Sequence, residues 1–267
     1  MLKITTLTYT LPLVVAVCST TWTNVACALP IATFSTSLGS FQVELRSDVA
    51  PLTVQNFVNY VDSGAYNNTI IHRSIANFVV QGGGYSDAGA PFLPSTPPTH
   101  ISQNAPVQNE FHLSNVAGTL AMAKLGGNPN SATTEWFFNL ADNSSNLDNQ
   151  NGGFTVFGDV LGSGMSIINA MVGVPAYNIS SVWGNSFQNI PLQNFNIQTA
   201  KQITTDNLIV INSVTVAAPE PATAVMLFSG AGLAGASLWL NRRRRALEAR
   251  SSQCRASKNL AGLSSRG

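Results

Sequence analysis

Short strand-like segments separated by turns fill the chain between residues 31 and 216, and they constrain its fold more than any other feature. Residues 41–45 are typical, because Phe41, Val43 and Leu45 alternate with polar residues as in a strand buried on one face. The other segments of this kind are residues 31–36, 70–75, 77–81, 118–124, 135–140, 154–160 and 208–216. A chain with so many short strands is expected to form a mainly β domain.

Only two segments have the periodicity of a helix. In the first, apolar residues recur at helical spacing from Val54 to Val61, Asp48 is placed to cap its beginning, and Gly64 ends it. The second spans residues 164–172. We predict a hairpin turn at residues 39–40, and the irregular composition of residues 173–206 predicts a long loop. Two helices among many strands indicate a β barrel or sandwich with helical plugs.

The N-terminus carries a predicted targeting signal. Lys3 is followed by an apolar stretch and by an A-C-A processing sequence that ends at Ala28, so residues 1–28 are interpreted as a secretory signal peptide. An uncleaved membrane anchor is the alternative. The 3 cysteines of the chain all lie outside the predicted domain, residues 29–218, for which we therefore expect neither a disulfide nor thiol chemistry.

The C-terminus combines three features that point to a membrane. Pro219-Glu220-Pro221 precedes an apolar run over residues 222–240, which would span about 28 Å as a helix, and arginines follow at 242–245. An apolar run closed by arginines is typical of a membrane span with its basic end inside. A nucleic-acid patch is the alternative, but the net charge of +1 offers no further basic surface.

The same three-part pattern, over residues 219–245, resembles the PEP-CTERM sorting signal of Gram-negative bacteria. The resemblance implies processing by an exosortase-type enzyme. It also implies export to the periplasm, cell envelope or exterior, with at least transient anchoring by the apolar span. Residues 246–267 extend beyond the arginines and are interpreted as a polar disordered tail.

Motifs for covalent or metal chemistry are not evident in the sequence. It contains no nucleophile elbow, no phosphate-binding loop and no His, Cys and Asp residues at metal-ligand spacing. His100 and His112 are isolated and are interpreted as surface or structural residues. We accordingly expect no cofactor and no metal.

Residues 70–84, IIHRSIANFVVQGGG, stand out because His72 and Arg73 interrupt an apolar run in a chain with only 9% charged residues. The longer stretch YNNTIIHRSIANFVVQGGG (66–84) resembles the cyclophilins, a family of peptidyl-prolyl isomerases, and most of all their exported bacterial members. Three later stretches carry the same resemblance: FHLSNVAGTLAMAK (111–124), NSATTEWFFNLAD (130–142) and residues 147–158, which end in FTVFG. The resemblance covers residues 31–216. It implies a closed eight-stranded antiparallel barrel capped by two helices, with a groove for Xaa-Pro segments on its outer face.

The resemblance also implies roles for individual residues. Arg73 takes the place of the catalytic arginine, with His72 beside it in the groove, and Gln81 takes that of a glutamine that hydrogen-bonds the substrate backbone. The positions of the apolar pocket for the proline ring are Phe78, Met122, Phe137 and Leu147, with Val79 where many members have methionine. The remaining positions along the groove are Ala123 and Lys124, on the strand whose backbone pairs with the peptide, and Phe154, where some members carry histidine.

An arginine suits a reaction that needs no covalent chemistry. Rotation about an Xaa-Pro bond loses amide resonance against a barrier of about 18–20 kcal/mol. A fixed guanidinium can donate to the prolyl nitrogen only as that nitrogen becomes pyramidal, so it favours the transition state over the ground state. Glu135 departs from the family, which usually has a glutamine that bonds the arginine. A carboxylate at this substrate-binding position can hold Arg73 by a charge-assisted hydrogen bond, which would either orient the arginine better or draw its donors away from the substrate.

These observations predict an exported, monomeric peptidyl-prolyl cis-trans isomerase that acts on proline-containing polypeptides of the envelope or the exterior. The alternative is a module with the same fold but little turnover, which binds proline-containing peptides or belongs to a surface matrix. Glu135 and the sorting signal keep this alternative open.

Overall fold

One antiparallel sheet of nine strands organises the part of the chain that the computed structural model describes, residues 28–93 and 96–217. Nearly all of the predicted signal peptide, the sorting signal over 219–245 and the tail over 246–267 lie outside these residues. Within the described ranges, no helix combines the length and the apolarity needed to cross a membrane.

The strands follow the predicted segments with small shifts at their ends. In chain order they are β1 (Ile31–Thr36), β2 (Gly39–Leu45), β3 (Thr69–Ile70), β4 (Arg73–Ile75), β5 (Val79–Gly82), β6 (Thr119–Met122), β7 (Trp136–Asn139), β8 (Val156–Val160), β9 (Ala176–Tyr177), β10 (Ile190–Pro191) and β11 (Val210–Ala217). The short strands β9 and β10 form a separate two-stranded sheet.

The order of the large sheet, β3-β11-β1-β2-β8-β6-β7-β5-β4, begins and ends in one stretch of chain. Only Ile71 and His72 separate β3 from β4, and hydrogen bonds continue across them. The Ile71 N–H donates to the Ile209 carbonyl at 3.0 Å, and the His72 N–H donates to the Gln81 carbonyl at 3.2 Å. Counted together, β3 and β4 reduce the nine strands to eight, and the strongly curled sheet is consistent with the predicted closed barrel.

The first hairpin turn lies two residues earlier than predicted. Thr36 pairs with Gly39, so the turn consists of residues 37–38, and residues 39–40 belong to β2. The Thr36 hydroxyl donates to the Gly39 carbonyl at 2.7 Å, and Gly39 adopts a φ of 126° that other residues rarely reach. The glycine therefore marks the end of the turn and not its centre.

Aromatic side chains fill the interior of the curled sheet. Phe34 stacks on Phe41 with ring centroids 5.1 Å apart, and Phe138 packs edge-on against both rings at 5.7 and 5.3 Å. Along β7, Trp136 and Phe138 belong to this interior core, whereas Phe137 lies in a separate cluster. Alternation along the strands thus divides the wall into an inner and an outer face.

The described residues form two longer and two single-turn α-helices: α1 (Pro51–Asp62), α2 (Ser144–Leu147), α3 (Gly164–Val172) and α4 (Ser180–Trp183). The two longer helices, α1 and α3, are the predicted ones. Residues 173–206 are less irregular than expected, since they contain β9, α4 and β10. Their apolar side chains form a second cluster with Phe92, and the Asn189 carbonyl accepts a hydrogen bond from the backbone of Ser74 on β4.

The predicted capping of α1 by Asp48 is wrong. The helix begins after Ala50 without a side-chain cap from its own N-terminal residues, and Asp48 instead forms an ion pair with Arg46 at 2.9 Å. The carboxylate of Glu110 accepts hydrogen bonds from the backbone N–H groups of Leu52 and Thr53, at 3.1 and 2.8 Å. A residue from a distant loop therefore caps this helix.

Replacing Glu110 by glutamine is expected to lower the free energy of unfolding by about 1 kcal/mol, because a negative charge at a helix N-terminus is lost. Asp48→Asn serves as the control and should change the stability by less than about 0.5 kcal/mol, since Asp48 is an exposed partner of a surface ion pair. Urea unfolding of both variants checks this, and equal losses would contradict the assignment of the cap.

Candidate active site

An apolar cluster covers the outer face of the sheet where β5, β6 and β7 run side by side. We call it the outer cluster. Its buried members are Val79, Ala121, Phe137, Leu147 and Val156, and its partly buried members are Phe78, Leu113, Ala123 and Phe154. Phe137 and Phe154 meet edge-on with ring centroids 5.8 Å apart. The structure thus brings together six of the predicted substrate-binding residues on one surface.

Met122 is not a member of the outer cluster, so the prediction that it lines the pocket is wrong. Its side chain is 0% exposed and belongs to the interior core. Successive residues of a strand face opposite sides, so Met122 and Ala123 cannot both face the groove. Ala121, which the sequence reasoning missed, is the outward neighbour on β6, and the alternation of the strand could have identified it.

Arg73 stands at the edge of the outer cluster because β4 pairs with β5. It lies opposite Gln81, and its Nη1 donates to the Gln81 Oε1 at 3.0 Å. The guanidinium carbon is 5.8 Å from the centroid of the Phe78 ring, within the range of a cation–π contact. Burial lowers the pKa of Arg73, but a guanidinium stays charged in proteins. The cation is therefore held in place beside an apolar surface.

The expected direct bond between Glu135 and Arg73 is not present, because Gln81 lies between them. The Gln81 Nε2 donates to Glu135 Oε2 at 2.7 Å, while the Gln81 carbonyl oxygen accepts from Arg73. Glu135 directly precedes β7, and the first residue of β7, Trp136, pairs with Gly82. The side chain of Glu135 therefore lies close to Gln81, the neighbour of Gly82. Gly84 leaves room for it, since a Cβ there would lie 2.7 Å from Glu135 Oε1.

Two histidines complete the surroundings of the Glu135 carboxylate. The His100 Nε2 is 3.2 Å from Oε1, and the His72 Nε2 is 3.5 Å from Oε2. Burial raises the pKa of Glu135, but the hydrogen bonds from His100, His72 and Gln81 outweigh burial and hold this pKa well below its usual range. In residues 28–93 and 96–217, no three His, Cys, Asp or Glu side chains are grouped as a metal site requires.

His72 lies beneath the site rather than in the groove, which corrects its predicted position. Its side chain is only 1% exposed and packs edge-on against Tyr85 with centroids 5.0 Å apart. Among the described residues, its Nδ1 has no hydrogen-bond partner. The neighbouring Arg73 points outward, so the side chain of His72 must point inward.

Lys124 supports the loop that carries Phe154. Its ammonium group donates to the carbonyls of Asn151 and Gly153, at 2.9 and 2.6 Å, and lies 4.9 Å from the centroid of the Phe154 ring. Burial lowers its pKa to about 8. The Ala123 N–H donates to the Glu135 carbonyl at 2.9 Å. The pairing of a peptide with the backbone at residues 123–124 stays a prediction.

Three buried asparagines behind the outer cluster were missed by the sequence reasoning. The Asn139 Nδ2 donates to Asn115 Oδ1 at 3.1 Å, and the Asn143 Nδ2 donates to Asn139 Oδ1 at 2.7 Å. Asn143 also donates to the Phe78 carbonyl at 2.9 Å. The network ties β5 and β7 to the segment that begins α2 and carries Leu147. Asparagine is abundant throughout this chain, so nothing in the sequence distinguished these three.

The chain is similar in sequence to known proteins. Residues 31–202 match the family described as cyclophilin type peptidyl-prolyl cis-trans isomerase/CLD, and residues 217–245 match the PEP-CTERM protein-sorting motif. A peptidyl-prolyl cis-trans isomerase of Acinetobacter baylyi is 38% identical over 171 residues, which cover 63% of this chain and 82% of that protein. Peptidyl-prolyl cis-trans isomerase B of Escherichia coli is 37% identical over 153 residues, which cover 54% of this chain and 85% of that protein.

A solved structure resembles the fold as well. The crystal structure of a cyclophilin type peptidyl-prolyl cis-trans isomerase from Cryptosporidium parvum matches with a TM-score of 0.51 at 21% sequence identity. The match covers 72% of this chain and 99% of that one. At this identity, the likeness supports the architecture alone.

Proposed function

The chain belongs to the cyclophilin-type peptidyl-prolyl cis-trans isomerases, and we propose that it isomerises Xaa-Pro bonds in exported or envelope proteins with Arg73 as the group that stabilises the twisted amide. Membership rests on the match over residues 31–202. The observation that carries the proposed mechanism is the fixed guanidinium of Arg73 at the edge of the outer cluster.

The outer cluster provides an apolar surface for the proline ring. In our proposal, the ring packs against Phe78, Phe137 and Leu147, and the edges of the site are formed by Val79, Ala123 and Phe154. Burying the ring excludes water and holds it in place while the acyl side of the bond rotates. No group on the protein has to be protonated or deprotonated during this rotation.

Arg73 supplies the electrostatic part of the mechanism. A guanidinium has five N–H donors, and within the described residues Arg73 uses one of them in a hydrogen bond, to Gln81. The remaining donors can approach the prolyl nitrogen, whose lone pair becomes available only as the amide twists. The interaction is stronger in the transition state than in the planar states and therefore accelerates the reaction. The second proton of the Gln81 amide is left to bond the peptide backbone.

Glu135 fixes the orientation of the Gln81 amide in this proposal. Replacing Glu135 by glutamine is expected to lower kcat about three- to tenfold while the peptide Kd changes less than about twofold, because a charge-assisted bond behind Arg73 is weakened. Steady-state kinetics together with peptide titration check this prediction. An unchanged kcat would show that the carboxylate does not contribute through Gln81.

The cellular setting follows from the sorting motif at residues 217–245, which implies export and sorting to the envelope. In our proposal, residues 29–218 form a monomeric isomerase domain, and the apolar span over residues 222–240 anchors it until an exosortase-type enzyme processes the tail. Mass spectrometry of the mature protein tests this. A chain that begins at Leu29 and ends near Pro221 supports it, and one that ends at Gly267 contradicts the processing.

The effect on protein folding is testable directly. The purified protein is expected to accelerate the slow, proline-limited refolding phase of an exported protein, which otherwise takes tens to hundreds of seconds. A refolding phase that keeps its uncatalysed rate at any concentration of the protein would contradict the proposed function.

A further inference from the structure

Two hydrogen-bond acceptors flank the ring of His100. The Nδ1 is 2.8 Å from the Ile101 carbonyl oxygen, and the Nε2 is 3.2 Å from Glu135 Oε1. A backbone carbonyl and an ionised carboxylate can only accept, so a neutral imidazole, with one N–H, satisfies one of them and turns a lone pair towards the other. Only the doubly protonated ring donates to both.

We propose that protonated His100 is a positioning residue of the isomerase, which holds Arg73 through Glu135 and Gln81, so that catalysis weakens when His100 loses its proton. The inference rests on the proposed function, since it concerns the rate of the same site. It assigns a role in the reaction to a residue that lies outside the apolar groove and that the sequence showed only as an isolated histidine.

The contacts form a continuous chain from the proton to the catalytic cation. His100 contacts Glu135 at 3.2 Å, Glu135 accepts from Gln81 at 2.7 Å, and Gln81 accepts from Arg73 at 3.0 Å. With the proton lost, the ring is neutral and one of its lone pairs faces an acceptor, either Glu135 Oε1 at 3.2 Å or the Ile101 carbonyl oxygen at 2.8 Å. In both tautomers, Glu135 loses the positive partner at His100. The Glu135 carboxylate is then held less firmly and can rotate. As a result, the Gln81 amide loses the partner that fixes its orientation.

The direction of the pH dependence follows from the charges. The hydrogen bond to Glu135 raises the pKa of His100 above the ordinary 6.5, against the opposing effect of burial. The ion pair is therefore complete at pH values below 6.5 and is lost as the pH rises through the raised pKa. The wild-type protein should be most active in the acidic and neutral range and less active in the alkaline range.

Other titratable groups around the pair define the controls. His72 lies beneath the same carboxylate, 3.5 Å from Oε2, and the ring of Tyr85 packs against His100 with centroids 4.9 Å apart. Burial raises the pKa of Tyr85, so this side chain stays neutral throughout the relevant range. Arg73 lies beyond Gln81 and remains a cation. Burial lowers the pKa of Lys124, which lies beside Phe154, to about 8. Its contribution to the pH dependence of the rate must therefore be separated from that of His100.

The test is the pH profile of kcat/KM, measured from about pH 5.5 to about pH 9.5 by exchange NMR on an Ala-Pro peptide, which needs no coupling protease. For the wild type, we expect a fall of about fivefold, because the weakening of one charge-assisted hydrogen bond is transmitted only in part. The midpoint should coincide with the titration of the His100 ring followed by NMR of the same sample.

Three variants show which group causes the fall in kcat/KM at alkaline pH. His100→Gln should give a low kcat/KM that no longer depends on pH in this range. His100→Lys keeps a cation up to about pH 10 and should shift the fall to higher pH. His112→Gln is the matched control and should keep the wild-type profile, since His112 is exposed and, among the described residues, forms a side-chain hydrogen bond with the Glu110 carbonyl alone.

The outcomes distinguish this inference from the proposed function. If kcat/KM of His100→Gln and His100→Lys falls at alkaline pH as in the wild type, the inference is overturned. The fall then belongs to another group, and Lys124 is the first to examine. An active wild-type protein with a flat profile overturns it as well. A wild-type protein without activity at any pH contradicts the proposed function instead.

Discussion

Replacing Arg73 by alanine is expected to lower kcat/KM about 100- to 1,000-fold, the loss typical of removing a hydrogen-bond donor aimed at a transition state. Peptide affinity should change less than about threefold, because the proline ring still packs on the outer cluster and the lost interaction is strong only in the twisted amide. The two quantities are separated by exchange kinetics and by peptide titration of the same preparation.

Two further arginine variants make this result specific. Arg73→Lys keeps the charge but not the planar fork, so it should recover only part of the rate. Arg46→Ala removes an arginine that pairs with Asp48 and Asp159, away from the outer cluster, and should leave kcat/KM unchanged. Folded Arg73→Ala protein with a rate within about threefold of the wild type would remove Arg73 from the mechanism.

Replacing Asn139 by alanine is expected to lower the free energy of unfolding by about 3–5 kcal/mol. Asn139 is 0% exposed, and its loss deprives Asn115, Thr119 and Asn143 of a buried partner. Each buried polar group left without a hydrogen bond costs about 1–3 kcal/mol. Because Asn143 also holds the Phe78 carbonyl, the variant should lose isomerase activity at temperatures where the protein is still folded.

The matched control is Asn149→Ala. Asn149 is exposed and donates to the Ser145 carbonyl at 3.2 Å, so its loss should change stability by less than about 0.5 kcal/mol. Urea unfolding of both variants gives the comparison. Equal stability of Asn139→Ala and the wild type would mean that water replaces the network without cost.

The parts of the fold with a regular period were predictable from sequence. The alternation in β2 and the helical spacing in α1 placed both elements correctly, because one face of each is buried. The cap of α1 was not predictable, because Glu110 lies 58 residues from the backbone N–H of Leu52. Only the folded chain brings such a pair together.

In the candidate site, too, some residues were predictable from a sequence pattern and others depend on contacts that only the folded chain forms. Arg73, Gln81 and Phe137 could be proposed because a run of motifs carries their positions, and the pairing of β5 with β4 and β7 brings them together. Met122 and His72 were misplaced because position in a motif was given more weight than the alternation of the strand. His100 was missed because its contact with Glu135 joins two residues outside the regular strands, 35 positions apart, and leaves no periodic signal.

The isomerase activity is measured most directly as the exchange rate between the cis and trans forms of an Ala-Pro peptide, observed by NMR with a catalytic amount of the purified protein. We expect exchange at least about a thousandfold faster than the uncatalysed process, which takes tens to hundreds of seconds. Peptide resonances that shift on binding while the exchange stays at the uncatalysed rate would contradict it and would show a module that binds proline-containing peptides without isomerising them.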